Sequence, residues 1–103
     1  MTYTVVLTPE ARDDLLRLED FLIELALAHG DVHLPGRALL AIRHEMRVLQ
    51  TNPYTCRQVG SNPRERELVI PFGGSGYVAL FEIISDAEVA VTALRHQRED
   101  DYH

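Results

Sequence analysis

The residues able to do chemistry gather at the end of the chain. RHQREDDYH (residues 95–103) sets two arginines, two histidines, three acids and a tyrosine within nine positions. An imidazole such as that of His96 is the side chain type most used as a general acid or base. Guanidinium groups such as Arg95 and Arg98 hold anions. The same residues also fit a plainer pattern, in which Arg98 pairs with Glu99, Asp100 and Asp101 in a solvated cluster. Arg95 and His96 would then only mark where the last strand leaves the core. Upstream, Arg66 stands between Glu65 and Glu67, placed either to pair with acids or to present a cation.

Other reactive groups form no recognisable set. All ten cations are arginine, so lysine is absent as a general base or Schiff-base nucleophile. The five histidines show no ligand partners at regular spacing, and His44-Glu45 lacks the second histidine of a zinc helix motif. Neither a metal nor a cofactor is expected. Gly73-Gly74-Ser75-Gly76 lacks the lysine and following helix of a phosphate loop, and reads as a hairpin turn. Cys56 lies beside Arg57, which could lower its pKa, but no distant partner is evident and the reading favoured is an incidental thiol. As the single cysteine it closes no internal disulfide. The net charge of -6 disfavours nonspecific binding of nucleic acid, which depends on neutralising phosphates. No apolar run reaches membrane-spanning length, and MTYTVVLTPEARDD is not a secretory signal. The expectation is a cytoplasmic protein without membrane contact.

The elements that must position these groups follow from pattern. At 103 residues with 46% apolar content, the chain reads as one domain over residues 1–103. Tyr3, Val5 and Leu7 share one face of a first strand (1–8). Thr8-Pro9-Glu10 starts a helix with a capping hydroxyl, a proline in the first turn and an acid at the positive end. Leu15, Leu18, Leu22, Leu25 and Ala26 carry that helix to about residue 28, and Gly30 closes it. The breaker-rich 31–36 stretch leads to a second helix from Gly36 or Arg37 to Gln50, striped by Leu39, Ile42, Met46 and Leu49. Together they form an antiparallel hairpin over 9–52. Residues 53–65 read as a long, exposed, irregular segment. A three-strand meander spans 66–96. Leu68, Ile70 and Phe72 alternate in its first strand, residues 77–84 form a second strand covered in part on both faces, and 88–94 form the third. A charged tail covers 97–103. The fold class is α+β, with the helical hairpin on one face of a mainly antiparallel sheet.

TPEARDDL after Tyr3, LLAIRHEMRVLQTNPY, RELVIPFGGSGYVALFEI and VAVTALRHQREDDYH together resemble the ParE/RelE superfamily of type II toxin–antitoxin toxins. The resemblance spans essentially the whole chain. It implies a small toxin neutralised by a cognate antitoxin whose C-terminal segment wraps it, and a toxin–antitoxin hetero-oligomer. RelE-like members are ribosome-dependent mRNA endonucleases. ParE-like members poison DNA gyrase without established chemistry of their own.

Cleaving RNA through its 2′-hydroxyl needs a base, an acid and cations on the phosphate. RelE-like toxins are similar to one another in using strand lysines and arginines with a tyrosine near the C-terminus. Here Val78 stands where RelE carries an arginine, and Val69 and Pro71 stand where strand lysines are expected. Arg66, Arg95, His96, Arg98 and Tyr102 remain, with His96 or Glu99 as base. This stripped set favours the ParE-like branch, a gyrase inhibitor that is not an enzyme and has no catalytic residues. The alternatives are a RelE-like mRNA endonuclease acting through those five residues, and a degenerate non-toxic partner of an antitoxin. The net acidic charge favours an antitoxin segment carrying lysine or arginine.

Overall fold

The computed structural model describes residues 2–97. Strand β1 (Thr4–Leu7) turns its half-buried residues Val5 and Leu7 inward and leaves Thr4 and Val6 exposed. The Thr8 hydroxyl accepts the Ala11 amide at 3.2 Å and Pro9 occupies the first turn, so helix α1 (Pro9–His29) begins where the sequence indicates. Gly30 ends it in the left-handed region at φ 74°.

Helix α2 (Leu34–Met46) starts earlier than expected. Its Pro35 and Gly36 fall in the first turn, where a missing N–H leaves nothing unpaired, so these breakers do not delay the helix. It also stops short of Gln50. The Arg47 amide bonds back three residues to the His44 carbonyl at 3.2 Å, tightening the coil, and a separate turn α3 (Val48–Thr51) follows. That turn buries Leu49 fully.

Residues 53–65 are more ordered than their composition suggests. A 3-10 turn (Pro53–Thr55) buries Pro53, and a two-residue strand β2 (Arg57–Gln58) pairs with Glu67 and Arg66. Two residues are too few for alternation to show, which is why pattern alone misses this strand.

Strands β3 (Glu65–Phe72), β4 (Ser75–Ile83) and β5 (Glu88–His96) form the expected meander. The sheet order is β1-β5-β4-β3-β2, with β1 parallel to β5 and the other pairs antiparallel. The first turn is tighter than the four glycine-rich residues imply. Phe72 pairs with Ser75, so Gly73 and Gly74 alone form the loop while Gly76 sits in β4 opposite Pro71. Gly73 takes a φ of 60°, which a tight hairpin of this kind favours. A bulge opposite Leu80 and Phe81 admits Thr92 as an extra residue of β5.

Tyr77, Ala79, Phe81 and Ile83 of β4 are buried on the helix-covered face, whereas Val78, Leu80 and Glu82 on the other face are half-buried. Leu18 and Leu22 of α1 and Ala38 and Ile42 of α2 meet these residues, together with Ile70, Val89, Val91 and Leu94, in one core.

Candidate functional site

One end of the sheet carries the site, where the β3–β4 turn, the last residues of β5 and the middle of α1 converge. His96 pairs across the ladder with Tyr77. Its ring meets the Tyr77 ring edge-on, with centroids 5.5 Å apart and planes at 84°. The His96 Nε2 lies 3.0 Å from the Ser75 Oγ, within hydrogen-bond range. Burial raises the Tyr77 phenol above its ordinary pKa, so it stays neutral there.

In front of His96 opens a cleft of ≈ 670 Å³, walled by Leu18, Phe21 and Leu25 of α1 and rimmed by Arg17, Ser75 and His96. Helical spacing brings 18, 21 and 25 to one side of α1, and that side overhangs the β3–β4 turn. Asp14 fixes the overhang. One carboxylate oxygen accepts the Leu94 amide of β5 at 3.0 Å, and the other pairs with Arg17 at 3.1 Å. Strand β1 ends opposite Val91, so beyond that point the helix carboxylate takes over as acceptor at the sheet edge. The cleft therefore offers apolar walls, one hydroxyl, one imidazole and the guanidinium of Arg17, which is paired to Asp14. That is a surface suited to holding an apolar side chain with a polar rim.

Among the residues named for RNA cleavage, the described ones (Arg66, Arg95 and His96) are not brought together. The Arg66 guanidinium is engaged by three carbonyls, those of Pro63 (2.8 Å), Tyr54 (2.9 Å) and Cys56 (2.8 Å). It also lies over the Tyr54 ring at 5.1 Å. Arg66 is opposite Phe81 and His96 opposite Tyr77, four residues apart along β4, or about 13 Å at the rise of a strand. Arg95 is opposite Val78, and as the neighbour of His96 it projects from the other face of the sheet. Arg98 and Tyr102, with Glu99, lie outside the described residues.

Cys56 lacks the activating neighbour that its place beside Arg57 offered, in keeping with an incidental thiol. Arg57 pairs with Glu67 instead, and burial raises the Cys56 thiol above its ordinary value, with the Arg66 guanidinium opposing in part. A raised pKa makes a poorer nucleophile. Among the described residues, no group of three histidine, cysteine or acidic side chains comes close enough to hold a metal ion.

Sequence reasoning missed Phe21, Arg17 and Ser75 as parts of the site. A signal was present in α1, which has more apolar residues than one core stripe requires. Leu16, Phe21, Ile23 and Leu27 are 58%, 52%, 44% and 79% exposed. These outward apolar side chains are more than the core stripe of α1 accounts for.

A family model described as the ParE toxin of the type II toxin–antitoxin system, parDE, matches residues 5–101. The chain belongs to the ParE toxin family. No curated protein matches it. Among solved structures it resembles the chromosomal ParDE TA system from P. aeruginosa with a TM-score of 0.70 and 18% identity, over 91% of this chain and 95% of that one. At that identity the likeness carries the fold, the same helical hairpin on a five-stranded sheet. For this ParE family member, no helix among the described residues is long and apolar enough to cross a membrane.

Proposed function

We propose that this ParE family protein inhibits DNA gyrase by binding it, and that a cognate antitoxin neutralises it in the cytoplasm by covering exposed apolar surface. The observation that carries the non-catalytic part is the state of Arg66. Its guanidinium is held by three backbone carbonyls, about 13 Å along the strand direction from His96. A cation turned toward backbone carbonyls in this way and that far from His96 is badly placed to act with it on one phosphodiester, which counts against the pair as a nuclease site. Family membership supports the toxin role, and the apolar cleft beside α1 supplies a seat for an antitoxin segment. Folding of such a segment on the toxin would bury side chains that the free protein leaves in water.

The test uses purified protein with DNA gyrase, relaxed plasmid and ATP. Loss of supercoiling together with trapped linear plasmid is the expected result. Unaffected gyrase would overturn the target, and a translating-ribosome assay with His96→Ala would then decide whether mRNA is cut. Added antitoxin is expected to restore supercoiling.

A further inference from the structure

The chain as a whole is acidic, yet one flank of α2 is not. Arg43, His44 and Arg47 rim a groove of ≈ 530 Å³ floored by Leu40, Ala41 and Phe72. Positions 40, 43, 44 and 47 recur every three or four residues, so one side of the helix presents them together. This side adjoins the core stripe of Ala38 and Ile42 without belonging to it, and Leu40 is 65% exposed. Arg37 closes the groove at its N-terminal end. Its guanidinium is already taken by the Asp31 carboxylate, in two bonds of 2.6 and 3.3 Å. Among the described residues, Arg43 and Arg47 have no ion-pair partner and no acid lines the groove.

Cations around an apolar floor are complementary to a segment that alternates acids with aliphatic or aromatic side chains. We propose that this groove docks an acidic, amphipathic polypeptide segment of another protein. The charge pattern selects the occupant. A nucleic-acid backbone would use the arginines but leave Leu40 and Phe72 uncovered, and the net charge of -6 repels a polyphosphate at longer range. An acidic peptide meets the same repulsion with far fewer charges and gains the floor as buried apolar area. Arg43 and Arg47 each offer a planar fork to a carboxylate, the geometry in which arginine pairs best. The groove lies on α2 and the end of β3, whereas the cleft lies on α1 and the end of β5. A segment here therefore engages a second surface, beyond the one assigned to the antitoxin.

The experiment is fluorescence anisotropy on the full chain with three labelled probes. They are a short helical peptide of glutamate and leucine, its glutamine-for-glutamate counterpart, and a short DNA duplex. The acidic peptide is expected to bind, with the glutamine peptide at least about tenfold weaker. Arg43→Glu/Arg47→Glu is expected to weaken the acidic peptide by about tenfold or more, and Leu40→Ser by severalfold. All three side chains are exposed, so an unchanged circular-dichroism melt should accompany the loss; Arg43→Gln/Arg47→Gln repeats the test without introducing acids. Equal binding of the two peptides, or no effect of either double variant, would overturn the proposal. Duplex binding tighter than the acidic peptide and lost in the same variants would make the groove a phosphate site and overturn it as well.

Discussion

Arg66 shows how a side chain suited to chemistry can be given over to architecture. Between two glutamates in sequence it invites reading as a surface ion pair or a phosphate-binding cation. In the fold it reaches instead into the 53–63 segment, donating to the carbonyls of Tyr54, Cys56 and Pro63. Hydrogen bonds from a charged donor contribute more than neutral ones, and the site is partly sheltered. Arg66→Ala is therefore expected to lower stability by roughly 2–3 kcal/mol in urea denaturation. Arg66→Lys should recover less than half, because an ammonium is a point charge without the guanidinium fork. A catalytic arginine would behave otherwise, with lost activity and an unchanged unfolding midpoint, and that outcome would restore Arg66 to the nuclease set.

At the scale of elements, the meander depends on a close approach that composition does not reveal. Gly76 lies in β4 opposite Pro71, and a Cβ built there falls against the Ile70 carbonyl oxygen, well inside van der Waals contact. Backbone is in the way, so the hairpin must shift to admit a side chain. Gly76→Ala is expected to cost about 3 kcal/mol. Gly73→Ala meets open space but a φ of 60°, costing about 1 kcal/mol. Gly74→Ala has neither obstacle and should stay within about 0.5 kcal/mol of the parent. Urea unfolding of the three variants checks that order, and a Gly76 variant as stable as Gly74→Ala would contradict it. The run of four small residues gave no means of ranking these positions, since their roles depend on register. The strands of the meander and α1 were legible because alternation, capping and helical spacing are local signals. The parallel pairing of β1 with β5, the two-residue β2 and the break at Arg47 were not, because each depends on contacts distant in sequence or too short to show a period. The cleft follows the same division. His96 stood out by residue type, whereas Phe21 and Ser75 join it only through the packing of α1 over the β3–β4 turn.

For the whole molecule, a net charge of -6 describes the average surface, and neither the cleft beside α1 nor the groove on α2. The cleft beside α1 is walled by Leu18, Phe21 and Leu25, and the arginine on its rim is paired to Asp14. The groove on α2 presents arginines that have no such partner among the described residues. Salt should therefore act on them differently. At about 1 M ionic strength the screening length falls to about 3 Å, which weakens exposed charge pairs but leaves apolar burial intact. If the antitoxin segment sits in the cleft, its complex should persist at that ionic strength, contrary to what the net charge alone suggests. Peptide binding at the α2 groove should decline over the same range. Phe21 then becomes the discriminating residue. Burying a side chain of its size contributes about 1.5–3 kcal/mol, so Phe21→Asp should weaken the antitoxin complex by about tenfold to a hundredfold. The same change should leave stability nearly unaltered, because Phe21 is already half in water. Titration calorimetry of parent and variant across a salt series measures both effects. A complex lost at high salt and indifferent to Phe21 would place the antitoxin on a charged face and leave the cleft to another partner.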